Sequence, residues 1–157
     1  MRITEALRAE HLVFHNLIDH VETTAPKLKS LAEIRSLAST MEVMFAAHSH
    51  AEDQLFLGPM AHCFEELGQR QALLDEHAEL DRTLRSIRRA SSVPKARQAL
   101  LSAAALARRH FDLEERVVYP LAERVLKRET LESLGRAWME RRNNTSVCVS
   151  CENKVCE

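Results

Sequence analysis

The sequence predicts an all-α protein: an antiparallel up-down-up-down bundle of four helices with a short additional helix at the C-terminal end. Three observations lead there. The chain has 157 residues, 45% hydrophobic and 29% charged, which is enough apolar material for one core and a length that fits one domain. It has only 3 Gly and 4 Pro, too few breakers for the many turns of an all-β protein. Apolar residues then recur at helical spacing along nearly the whole chain.

The first helix starts near Thr4 and carries Leu7, Phe14, Ile18 and Val21 inward until Pro26 stops it, with His11 filling the gap in the series. The second, from about Ser30 to Leu57, aligns Leu31, Ile34, Leu37, Met41, Met44 and Leu55 before Gly58-Pro59, and His48 and Glu52 share that stripe. The third, from about Gln69 to Ala90, places Leu73, Leu80, Leu84 and Ile87 inward around His77. The fourth runs from about Pro94 to Tyr119 with Ala96, Ala99, Ala103, Leu106 and Val117 on the buried side, and His110 and Glu114 take the remaining inward places. A shorter fifth helix is expected from about Thr130 to Arg142, with Leu131, Leu134 and Trp138 as its apolar face. Residues 1–142 thus form the domain, and 143–157 read as a flexible polar tail holding three cysteines.

Charge narrows the function. Lys plus Arg number 22 against 23 Asp plus Glu, so the chain has no basic excess for nucleic-acid phosphates or anionic lipid, and neither is an expected partner. The N-terminal residues break every apolar run with charges, which leaves neither a signal-peptide core nor a membrane span and makes a cytoplasmic setting the expectation. Against this ordinary background stand 8 His. At a rise of about 1.5 Å per residue, His11 and His77 lie roughly 10 to 12 Å from the starts of their helices, and His48 and His110 roughly 13 Å from the ends of theirs. In an antiparallel bundle all four imidazoles meet at one level.

The inward histidines also repeat. Glu10-His11, His48-x-x-x-Glu52 and Pro59 are echoed by Glu76-His77, His110-x-x-x-Glu114 and Pro120, so each half is one helical hairpin. A single histidine on an apolar stripe is ordinarily a core residue with a hydrogen-bond partner. Four at one depth, each half with a Glu one turn beyond a His, are different. Buried carboxylates cost several kcal/mol each unless they are paired or bind a cation, and these stripes contain no Lys or Arg. Imidazole with carboxylate is a donor set for iron, manganese or zinc.

These residues also carry a family resemblance. Glu-His-Leu-Val-Phe at residues 10–14, His-Ser-His-Ala-Glu-Asp-Gln-Leu-Phe from His48, Asp-Glu-His-Ala-Glu-Leu from Asp75 and His-Phe-Asp-Leu-Glu-Glu-Arg-Val-Val-Tyr-Pro from His110 resemble the hemerythrin and HHE cation-binding family, over residues 4 to about 142. The resemblance implies a centre of two non-haem iron ions, oxo- or hydroxo-bridged, with His11, His48, His77 and His110 as terminal ligands and Glu52 and Glu114 as bridges. One position departs from it. Hemerythrins that carry oxygen reversibly have a further histidine one turn before the third-helix ligand, where this chain has Leu73. His15, one turn after His11, is placed either as a fifth imidazole, as a hydrogen-bond partner of a ligand, or at the surface.

The remaining candidates are weaker. His20 and His50 fall on outward phases, and His62 belongs to a connection. Asp53 and Glu115 are read as solvated groups or hydrogen-bond partners rather than ligands. Cys148-x-x-Cys151-x-x-x-x-Cys156 has the short spacing of a thiolate site or redox pair, but zinc needs four ligands and Cys63 is distant in sequence. The expected function is non-haem iron binding with open positions for dioxygen, peroxide or nitric oxide, and both turnover and reversible binding fit such a centre. Two other roles fit the residues. One is a regulatory module read by a partner through the Arg-Ala-Trp-Met-Glu-Arg-Arg segment at 136–142; the other is repair of damaged iron centres with the tail thiols.

Overall fold

Ser30 shows how sequence starts a helix here: its hydroxyl accepts the Glu33 N–H at 3.2 Å, and the Glu33 carboxylate accepts the Ser30 N–H at 2.9 Å. The second helix therefore begins at a defined residue, and Pro94 in its first turn does the same for a later one. The computed structural model describes residues 1–61 and 69–148. Its helices are α1 (Ile3–Thr24), α2 (Leu31–Glu52), α3 (Gln69–Arg88), α4 (Val93–Leu113), α5 (Tyr119–Val125) and α6 (Arg128–Cys148). A 3₁₀ turn, Ala25–Lys27, follows α1; π turns, Asp53–Leu57 and Glu114–Val118, follow α2 and α4. The described residues contain no strand, and none of their helices is long and apolar enough to cross a membrane.

Contacts between ends fix how the four long helices lie. Arg97, early in α4, donates to the carbonyls of Ala25 and Leu28 at 3.0 and 2.6 Å, just past the end of α1. Arg35, early in α2, donates to Ala90 O at 3.2 Å, just past the end of α3. Two apolar clusters fill the interior. One holds Phe14, Phe45, Leu80, Ala107 and Phe111. The other holds Leu7, Phe56, Leu73, Val118, Tyr119 and Leu131. Each of the four helices passes from one cluster to the other at its histidine, so the imidazoles form a polar layer between two dry ones.

The π turns correct two inward positions expected from a regular helix. Val117 was expected inside and is 39% exposed, while Val118 and Tyr119 are buried; Leu55 is half-buried, while Phe56 and Leu57 are fully buried. The reason is the wider π turn, which inserts a residue and advances the phase of everything after it. The fifth helix also differs from expectation. It runs from Arg128 to Cys148, 21 residues, rather than stopping near Arg142. It packs along α1, and Gly135 allows the approach: a Cβ there would stand 2.3 Å from Met1 O and 3.0 Å from Arg2 C. Gly135→Ala is therefore expected to lower stability by about 1 to 3 kcal/mol, because the obstructing atoms are backbone. Urea denaturation measures it, and an unchanged midpoint would mean that α6 sits less tightly than these distances imply.

Candidate metal centre

His11, His48, Glu52, His77, His110 and Glu114 are all buried and converge in the layer between the clusters. Each imidazole is held through Nδ1 by a carboxylate. His48 Nδ1 lies 2.8 Å from Glu10 Oε2 and His110 Nδ1 2.7 Å from Glu76 Oε2. His77 Nδ1 lies 3.0 Å from Asp53 Oδ1 and His11 Nδ1 3.1 Å from Glu115 Oε1. The internal repeat is visible in this pattern: the Glu preceding one histidine orients the other histidine of its own hairpin, and the residue following each inward Glu orients a histidine of the other hairpin. Because each Nδ1–H donates to a carboxylate, each ring turns its Nε2 inward.

Those Nε2 atoms form two close pairs, His11 with His48 at 3.1 Å and His77 with His110 at 2.8 Å. Two lone pairs at such a distance repel unless a proton or a cation lies with them. The carboxylates span the pairs. Glu52 Oε2 is 3.8 Å from His48 Nε2 and 3.6 Å from His77 Nε2. Glu114 lies 3.4 Å from His11 Nε2 through Oε2 and 3.0 Å from His110 Nε2 through Oε1. The donor atoms fall into two overlapping sets, Glu52, His77, His110 and Glu114, and His11, His48 and Glu114, each within 4.8 Å. Glu52 Oε2 and Glu114 Oε1 are buried and accept no well-directed hydrogen bond. Orphaned acceptors of this kind carry a large penalty that a bound cation removes, so these residues fit a divalent metal ion.

A model of the hemerythrin HHE cation-binding domain matches residues 2–122. The chain belongs to the hemerythrin HHE cation-binding family. Comparison with curated proteins and with solved structures gave no match. The matched region takes in all six converging residues and the four carboxylates behind them, and ends before α6. Leu73, where oxygen-carrying hemerythrins have a further histidine, is buried in the cluster that also holds Tyr119.

The remaining candidates of this HHE domain are spread around the centre. His15 is partly exposed, with Nε2 3.7 Å from Glu115 Oε1 and its ring edge toward Phe111; it neighbours the carboxylate that orients His11 and is not among the converging donors. His20 and His50 are exposed, and His50 meets Arg141 of α6 at 3.0 Å. Cys148 ends α6. His62, Cys63, Cys151 and Cys156 lie outside the described residues. In the sequence, Glu10 and Glu76 read as parts of the repeat and of the family motifs, and Tyr119 as a helix end and part of the last motif, none with a role at the centre. Tyr119 is in fact buried with its hydroxyl 3.2 Å from Glu52 Oε1, to which it donates, and 3.1 Å from His11 Nε2. The π turn hides it from helical periodicity, since it lies five residues after Glu114 rather than three or four.

The two imidazole pairs of the HHE domain differ electrostatically. Burial and the neighbouring His48 push His11 down to about 2. Burial also opposes charge on His77 and His110, but Asp53 and Glu52 outweigh it for the first, and Glu114 and Glu76 for the second, raising them to about 9 and about 10. Burial and repulsion from Glu52 raise Glu114 to about 7, while His77 and His48 hold Glu52 below the usual carboxylate range despite its burial. With no ion bound, the His77–His110 pair therefore holds a proton between its facing Nε2 atoms at neutral pH, and a cation must displace it. Metal loading at pH 7 is expected to release protons, and apparent affinity to rise as pH approaches 9 to 10. Titration calorimetry in buffers of different ionisation enthalpy reads the release directly; a heat independent of buffer would refute it.

Proposed function

We propose that this HHE domain holds two non-haem iron ions, one at His11 and His48 and one at His77 and His110, joined by Glu52 and Glu114. There it binds or reacts with dioxygen or a related small ligand such as peroxide or nitric oxide. The observation that supports this most directly is the pair of carboxylates, each within 4 Å of a histidine from both imidazole pairs. Two imidazoles and two shared carboxylates supply about four donors per ion, short of the six that an octahedral site accepts. Iron bound in this way supplies redox chemistry and open positions for a small ligand. Manganese and zinc suit the same donors.

The chain's own residues do the rest. The four Nδ1 carboxylates fix each ring's tautomer and orientation, which keeps Nε2 free as a donor. Phe14, Phe45 and Phe111 exclude water from one side of the layer, and Phe111 lies with its ring centroid 4.4 Å from that of His11. Tyr119 holds a proton beside Glu52 Oε1, and burial together with Glu114 and Glu52 keeps it a phenol. A groove of about 650 Å³ between α2 and α3, lined by Ala46, Ala47, Asp53, His77 and Ala78 among others, reaches the edge of His77.

Metal analysis of protein purified without added metal, with absorption spectra before and after anaerobic reduction and on exposure to air or peroxide, tests the reading. About two irons per chain with a reversible near-ultraviolet band are expected. Metal that stays substoichiometric after anaerobic iron reconstitution of the folded protein would overturn it.

A further inference from the structure

Helix α6 lies beyond the matched family region yet touches the centre through one relay. Arg142 Nη2 donates to Glu10 Oε1, and the other oxygen of the same carboxylate, Oε2, accepts from His48 Nδ1 at 2.8 Å. The guanidinium is itself placed by stacking 5.4 Å over the Trp138 ring. Around this contact α6 is anchored at three other points: Gly135 against the start of α1, Leu131 in the cluster with Leu7 and Tyr119, and Arg141 on His50 and Gln54 at the end of α2. The relay belongs to one hairpin. Glu10 is 17% exposed beneath Arg142, whereas Glu76, its counterpart behind His110, is 41% exposed.

We propose that Arg142 is a positioning residue for the ion at His11 and His48, and that through it metal occupancy and the docking of α6 are coupled. It rests on the reading of His48 as a ligand. A cation at Nε2 withdraws electron density from the imidazole and makes Nδ1–H a stronger donor, which tightens Glu10 onto His48 and leaves its second oxygen fixed for Arg142. In the other direction, Arg142 holds Glu10 in the orientation that aims His48. A coupling of this kind is reciprocal: whatever factor α6 adds to the affinity for that ion, the ion adds to the docking of α6. Among the described residues no such tie reaches the carboxylate behind His110, so the two ions respond differently to the same substitution. Occupancy of one ion is thereby transmitted along α6, whose last residue is Cys148.

The test uses the full chain, its Arg142→Met form, which keeps the stem over Trp138 and removes the charge, and Arg142→Lys. Iron(II) is added under nitrogen; chelator competition reads the affinity of each ion, and amide exchange by mass spectrometry reads α6 before and after loading. In the wild type, loading is expected to slow exchange across α6. Arg142→Met is expected to weaken one ion about tenfold, leave the other, and abolish the metal-dependent slowing; Arg142→Lys should restore most of both. A purely structural role would loosen α6 in Arg142→Met without touching either ion, and that result overturns the proposal. So does wild-type α6 exchange that ignores iron, a measurement that stands even where Arg142→Met fails to fold. A wild-type chain that takes up no iron overturns the ion-binding reading itself and is distinguished by the absence of loading at the outset.

Discussion

The double substitution Glu52→Leu with Glu114→Leu is expected to abolish binding of an ion pair and to lower the stability of the metal-free chain. Both carboxylates are fully buried, each has an oxygen without a directed hydrogen bond, and burial opposes their ionisation. Their neighbours above and below are apolar, with Phe45 and Phe111 on one side and Phe56 and Val118 on the other. Leucine removes the desolvation cost but leaves the Tyr119 hydroxyl and the His77–His110 pair without these acceptors, and removing one partner of a buried pair costs about 3 to 5 kcal/mol. Binding is lost as well, because these are the groups that reach both imidazole pairs. Metal analysis should fall from about two ions per chain to at most one weakly held ion, while urea denaturation of the metal-free forms shows a lower midpoint for the variant. A double variant that keeps two tightly held ions would remove both carboxylates from the centre.

Metal loading is the second large effect. An ion that binds the native chain and not the unfolded one stabilises by about 4 kcal/mol when free metal stands a thousandfold above its dissociation constant. For a chain of this length that corresponds to a rise in melting temperature of roughly 8 to 16 °C. The rise should grow as pH approaches 9 to 10. As pH falls, protons compete more strongly for His77 and His110, already raised to about 9 and 10 in the ion-free protein, and the gain shrinks. Differential scanning calorimetry across iron(II) concentrations under nitrogen would show it. A melting temperature independent of metal concentration would mean that the layer of histidines is held by protons and hydrogen bonds alone.

The coupling to α6 gives the family fold an output. A centre buried between two apolar clusters has few ways to signal its state, and the Arg142–Glu10–His48 relay is a short one, running from a ring nitrogen to a helix beyond the matched family region.

Periodicity alone determined the bundle and the inward face of its helices, because a spacing of 3.6 residues fixes which side chains share a face before any neighbour is known. The same spacing placed His11, His48, His77 and His110 at one depth and put Glu52 and Glu114 one turn beyond two of them. What lay beyond its reach depends on departures from that period or on contacts between helices. The π turns after Glu52 and Glu114 changed the phase, so Tyr119 entered the centre and Val117 left the core. Asp53, Glu115, Glu10 and Glu76 reach the histidines across helix boundaries, and a carboxylate looks the same in sequence whether its partner is an imidazole or water. Helix α6 shows both sides: its apolar face at Leu131, Leu134 and Trp138 was legible, but its seat on α1, set by Gly135 against the backbone of Met1 and by Arg142 on Glu10, was decided only by the tertiary structure, because close approach and ion pairing are properties of two surfaces together.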